Sequence, residues 1–289
     1  MIFDPFSRCH PAVNFAFFVA VIGFGVVIQH PAYALAALVG AGLYYLLLHG
    51  KSGLRFLRAM AGMLVLIAVL NPLINDQGEH ILFSLWGRPY TLEAMAYGGA
   101  LGLIFSVTMI WFGCYSQVLT SDKFTALFGN LIPALSLLLV MVLRLIPAFT
   151  RKSRQILTAR GAIGKGVDNA ATGKETLKSS VGVLSALTDW ALEGSIITAD
   201  SMRARGYGCG KRTNFHIYKL TRRDVLLLAA ILILSLCVLG FGGTEAGFTP
   251  YLYCDYLTLG FPAYCLLLLI PSILYLREAI AWTRLKFET

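Results

Sequence analysis

Six stretches of this chain, each about 17–22 residues long and predominantly apolar, leave few folds open to it. They run at 12–28, 31–48, 57–74, 94–115, 225–242 and 257–276. A bilayer's hydrocarbon layer is about 30 Å thick, and a helix rising 1.5 Å per residue needs roughly 20 apolar residues to cross it. Hydrophobic residues make up 57% of the 289 and charged residues 13%, too little polar surface for a soluble domain of this size. A transmembrane β-barrel would alternate over about ten residues instead of staying apolar for twenty. The fold class expected is therefore all-α, a polytopic helical membrane protein with about six spans. The first run begins near Ala12 behind one basic residue, Arg8, which is not the pattern of a cleaved signal peptide.

Charge sets the orientation. The formal net charge is +9, and 149–223 holds 14 Lys and Arg against 5 Asp and Glu, while the remainder balances at 10 against 10. A basic excess beside a membrane marks the cytoplasmic face. Such charge can hold the anionic headgroups of the lipid bilayer or an acidic partner. No aromatic-and-basic interleaving points to nucleic acid. Arg8 before the first run, and Lys51, Arg55 and Arg58 after the second, put both sites inside, with a loop outside at 75–93. A seventh apolar run, 124–149, would send the basic segment outward if it spanned. It carries Arg144, which costs about 2.5–3.5 kcal/mol at a bilayer centre, so it is expected not to span. Asn130 and Pro133 fit the start of a helix running past Pro147 to Arg160. After a glycine-rich connector with Gly164, Gly166 and Gly173, a second long helix is expected over 176–205. Its apolar stripe is Leu177, Val181, Leu184, Ala191 and Met202, widened by Val183, Trp190 and Ile197 and interrupted by Lys178, Asp189, Glu193 and Asp200. Arg277, Arg284 and Lys286 return the C-terminus inside. The segments expected are a four-span bundle at 1–117, a cytoplasmic or interfacial region at 118–223, and two C-terminal spans at 224–289. Both termini of this multi-pass cell-membrane protein are expected to be cytoplasmic.

The polar segment holds one tripeptide twice, Ala159-Arg160-Gly161 and Ala204-Arg205-Gly206, forty-five residues apart. Each closes a long amphipathic helix, with glycine where a helix commonly ends. Arginine there gains about 0.3–1 kcal/mol from the helix dipole, which would suffice for a solvated helix end. The repetition and the small neighbours point further, to guanidinium forks able to enter a partner's groove and bind carboxylates or carbonyls.

No catalytic set accompanies them. The histidines His10, His30, His49, His80 and His216 are scattered with no H-E-x-x-H, and Glu79-His80 reads as a solvated loop pair. Gly161-Ala-Ile-Gly-Lys-Gly166 lacks the Walker A spacing, and six cysteines without Cys-x-x-Cys suggest neither disulfide nor metal. No enzyme activity, cofactor or metal is expected. Gly98-x-x-x-Gly102 reads as a close helix-packing face, and Asn71-Pro72 as a kink.

Several of these stretches together resemble the transmembrane T component of energy-coupling factor (ECF) transporters, the EcfT and CbiQ-type permeases. They are Asn71-Pro-Leu-Ile-Asn75, Thr120-Ser-Asp-Lys-Phe124, Ile132-Pro-Ala-Leu-Ser136, Leu143-Arg-Leu-Ile-Pro147 with Ala159-Arg-Gly161, and Ala199-Asp-Ser-Met-Arg-Ala-Arg-Gly-Tyr207. The resemblance implies a non-catalytic subunit of a prokaryotic ABC-type importer of vitamins or metal ions. Arg160 and Arg205, with their Ala and Gly neighbours, would dock into two cytoplasmic ABC ATPase subunits. The stripe of Leu177, Val181, Leu184, Trp190 and Ala191 would contact a small membrane-embedded S component that chooses the substrate. The rival is a self-contained secondary transporter or channel, which needs ionisable groups at mid-membrane; the six runs hold almost none.

Overall fold

The first two helices begin alike, on His-Pro-Ala. The Nδ1 of His10 accepts the N–H of Ala12, and the Nδ1 of His30 accepts that of Ala32, both at 3.2 Å. The proline at the first helical position needs no partner for a missing N–H. In this computed structural model the residues described are 4–75, 80–85, 88–128, 133–164, 173–210, 218–242, 246–247, 253–254 and 258–287. Among them lie nine α-helices: α1 Pro11–Val27, α2 Pro31–His49, α3 Gly53–Ile74, α4 Leu92–Val118, α5 Ser121–Phe128, α6 Pro133–Ala162, α7 Gly173–Ala204, α8 Arg222–Phe241 and α9 Gly260–Phe287. The chain divides into two compact units, Met1–Phe124 with Tyr218–Thr289, and Thr125–Ile217.

All six apolar runs are helices of the first unit. Four continuous stretches are long and apolar enough to cross a membrane: Pro31–Ile74, Leu92–Val118, Arg222–Phe241 and Gly260–Ala281. The first, at 44 residues, is two helices, because Gly50 takes a left-handed φ of 58° and opens a 3-10 turn over Gly50–Ser52. The rings of Tyr45 and Phe56 stack across that bend with centroids 5.0 Å apart. With α1, apolar but only 17 residues long, these make six apolar helices. The molecule is thus a helical membrane protein. The loop expected at 75–93 contains a hairpin, Ile81–Leu85 paired antiparallel with Arg88–Thr91, which the β-prone Ile81-Leu-Phe run favours. Tyr90 ties it back by donating to the Val69 carbonyl at 2.9 Å.

The core of this unit is aromatic. Trp111 is wholly buried, with Phe17, Phe18 and Tyr44 at centroid distances of 5.6, 6.2 and 6.3 Å. In lipid, helices gain little from leaving an equally apolar solvent, so close packing must hold them together. Gly98 and Gly102 supply it, as their spacing suggested. A Cβ on Gly98 would stand 2.5 Å from the Asn71 Cβ, and one on Gly102 would stand 2.9 Å from the Leu64 carbonyl oxygen. Pro72 sits inside α3 near its end, and the Asn71 side chain donates to the Ala94 carbonyl at 2.7 Å, joining α3 to the first turn of α4. The C-terminal α9 packs on α2, where Gly40 meets Leu268 and Tyr33 meets Phe261 and Tyr264. N- and C-terminal helices therefore form one body.

Most basic groups of this body gather at one end. Arg8 pairs with Glu278 at 3.4 Å, and the His10 N–H donates to Asp224 at 3.2 Å. The starts of α1, α3 and α8 and the finishes of α2, α4 and α9 share that end, which holds Lys51, Arg55, Arg58, Arg222, Arg223 and Arg277. At the other end His80 bonds Glu93 at 2.6 Å, so its partner is Glu93; Glu79 lies outside the described residues.

Candidate functional site

The second unit, taken by itself, is built on two long helices of 30 and 32 residues, α6 and α7. They run antiparallel, since Phe149 meets Trp190 edge-to-face at 5.5 Å while Arg160, further along α6, meets Gly182, earlier on α7. Lys152 lies 5.8 Å over the Trp190 ring. Asn130 and the connector at 165–172 lie outside the described residues.

The two Ala-Arg-Gly triplets end differently. At the second, α7 stops at Ala204 and Gly206 takes φ 78°. Its N–H donates to the Arg203 carbonyl at 2.9 Å, and that of Tyr207 donates to Met202 at 3.0 Å, the paired bonds of a Schellman cap. Arg205 is exposed at this tip. At the first, the expected stop at Gly161 does not occur. The helix continues to Ala162, since glycine tolerates helical backbone and alanine favours it, and the left-handed residue is Gly164 at φ 72°. Arg160 is consequently half-buried and lies on the neighbouring helix. A Cβ on Gly182 would stand 2.8 Å from both Nη atoms, so the guanidinium covers the one residue of α7 that has no side chain there. Its Nε is buried with no hydrogen-bond partner among the described residues. From Gly182 to Arg205 the path along α7 is about 35 Å, so the two arginines lie far apart.

The apolar stripe also divides. Leu177, Val181 and Leu184 are exposed, at 66%, 57% and 64%, and the same face continues through Leu192 and Ile196, which the sequence reading did not single out. Trp190 and Ala191 are half-buried, and Val183 is buried; Trp190 belongs to the face turned towards α6. Gly182 was also missed, although an isolated glycine inside a helix commonly signals close approach of another group.

A buried polar cluster in the first unit was missed too. Lys123, in the Thr120–Phe124 motif, donates to the Ser7 carbonyl, to Ser7 Oγ at 2.9 Å and to the Val118 carbonyl at 2.7 Å. Asp4 accepts from the Tyr44 hydroxyl at 2.7 Å and from the backbone N–H of Ser7 and Phe6 at 3.1 and 3.3 Å. Burial pushes the Asp4 carboxyl above the usual carboxylate range in spite of these donors and Lys123. It likewise pushes the Lys123 ammonium below the usual lysine range, with Asp4 opposing. The cluster fastens the start of α5 to the segment before α1. Among the described residues no group of three His, Cys, Asp or Glu could hold a metal ion.

No protein-family model matches the chain. It is 29% identical over 199 residues to the energy-coupling factor transporter transmembrane protein EcfT of Lactococcus lactis subsp. cremoris, a match covering 64% of this chain and 73% of that protein. The chain is thus similar to a known ECF T component. The resemblance drawn from the Asn-Pro and paired Ala-Arg-Gly stretches is borne out by this similarity.

Proposed function

We propose that this chain is the coupling subunit of an ECF-type importer, placed between two cytoplasmic ATPase subunits and a membrane-embedded S component. The observation that carries the proposal is the pair of arginine positions about 35 Å apart on one helix pair, a separation that suits two docking partners better than one. The basic end of the first unit faces the cytoplasm by the positive-inside rule, with both chain ends there. Arg205 would enter one ATPase groove directly from its capped tip. Arg160 would enter the other from its bed on Gly182, its unpartnered Nε gaining an acceptor there. The face Leu177, Val181, Leu184, Leu192 and Ile196 would hold the S component, which would bind the vitamin or metal ion; an apolar face this continuous is otherwise an aggregation liability. ATPase motion would reach the S component through α6 and α7. This chain carries out no chemistry in the scheme.

A self-contained transporter is less well supported. Among the described residues, charged side chains on the spanning helices sit at their ends, as with Arg58, Glu93, Arg222 to Asp224 and Arg277. The test is co-purification of the tagged chain from native membranes. Arg160→Glu with Arg205→Glu is expected to abolish ATPase recovery, each arginine contributing about 2–5 kcal/mol, while membrane insertion persists. Normal ATPase recovery with the double variant overturns the proposal. Leu177→Ser with Leu184→Ser and Leu192→Ser is expected to lose the small hydrophobic partner and keep the ATPases.

A further inference from the structure

At the basic end of the first unit, a pocket of about 580 Å³ opens among Pro5, Arg8, Arg223, Leu274, Arg277 and Glu278. Three arginines and one glutamate give it a formal charge of +2. The glutamate is already engaged by Arg8 at 3.4 Å. The nearby Asp224 makes no ion pair with the others among the described residues. Its carboxylate accepts the Thr221 hydroxyl at 2.6 Å, the Thr221 N–H at 3.0 Å and the His10 N–H at 3.2 Å, while its own N–H is capped by Thr221. Arg223 and Arg277 are exposed and make no hydrogen bond or ion pair among the described residues. Two unengaged guanidinium forks beside one pocket are suited to the oxygens of a phosphate, which a fork binds with two parallel bonds.

The position of the pocket selects the phosphate's source. Arg223 opens the apolar helix α8, and Leu274 and Arg277 lie in the final turns of the apolar stretch Gly260–Ala281. The polar mouth is therefore level with the headgroups, and the exposed apolar side chains of the same helices, Leu226 on α8 and Ile273 and Leu276 on α9, face the lipid beside it. We propose that this pocket binds the phosphate of an anionic phospholipid, whose acyl chains would follow α8 and α9. It rests on the membrane fold alone and is independent of the coupling role.

The test is thermal unfolding of the full chain in detergent with phosphatidylglycerol, phosphatidylcholine or inorganic phosphate added at matched ionic strength. Phosphatidylglycerol is expected to raise Tm by about 4 °C over phosphatidylcholine. That difference should vanish in Arg223→Gln with Arg277→Gln and persist in Lys51→Gln with Arg55→Gln, which removes equal charge elsewhere at the same end. An equal shift from inorganic phosphate would overturn the lipid source, and loss in both double variants would reduce the effect to general surface charge. If the Arg223 and Arg277 variant does not fold, native mass spectrometry of the unsubstituted chain decides. Retention of phosphatidylglycerol over phosphatidylcholine at equal mole fraction supports the site, and equal retention overturns it.

Discussion

Two tryptophans show how differently the two units are built. Trp111 has no exposed surface and is ringed by Phe17, Phe18 and Tyr44. Trp190 is half-buried, held by Phe149 and by Lys152 above its ring. The first unit interlocks helices around an aromatic core, and the apolar residues it leaves outside, such as Val65, Leu66 and Val69 on α3, lie on runs long enough for lipid to cover. In the second unit Leu177, Leu184 and Leu192 are as exposed, yet Lys178, Asp189 and Glu193 share their helix. Lipid can satisfy the first surface; in the function proposed above, a partner protein covers the second. Exposure of a leucine is informative only together with the charges beside it.

This contrast can be broken by paired substitutions. Trp111→Ala should cost about 3 kcal/mol from lost packing, towards the low end for an aromatic because lipid already offers an apolar reference. Trp190→Ala should cost about 1 kcal/mol, the worth of an edge-to-face pair and a cation–π contact. Thermal unfolding in detergent compares them, and equal losses would mean that the second unit has a core of its own. Next in size, Lys123→Met leaves the Ser7 and Val118 carbonyls without their donor and should cost about 1–3 kcal/mol. Asp4 adds a pH signature. Its folded-state pKa is raised above 3.8, so the folded state holds the proton more tightly than the unfolded chain does. Stability is greatest below 3.8 and falls as pH rises through the folded value. Asp4→Asn should remove that fall from a Tm series across the acid range. The smallest effect on stability is expected from Gly182→Val, well under 1 kcal/mol on the exposed helix pair. It should nevertheless displace the Arg160 guanidinium and weaken ATPase recovery roughly tenfold, or about 1.4 kcal/mol in docking free energy. Unchanged recovery would show that Arg160 docks from some other position.

Much of the fold was legible because its signals are local. Each of the six apolar runs became a helix, with ends within a few residues of those expected at most positions, since a twenty-residue apolar run has few alternatives in lipid. The packing face at Gly98 and Gly102 and the cap at Gly206 were readable for the same reason: spacing and residue type specify them. The misses arose where a local signal had two outcomes. Gly161 reads as a helix stop, but Gly164 three residues on is the residue that turns left-handed. The 81–91 hairpin was lost inside a segment read only for charge.

The sequence by itself determined which segments are long and apolar enough to cross a membrane, where the basic end lies and which two arginines stand out, because hydrophobic length, charge and repetition belong to contiguous residues. Only the tertiary structure decided that Arg205 is exposed while Arg160 lies on Gly182, that Lys123 is buried against Ser7, and that Arg8, Arg223 and Arg277 share one pocket. Those relations join residues from 22 to more than 250 positions apart, and folding alone brings such residues together.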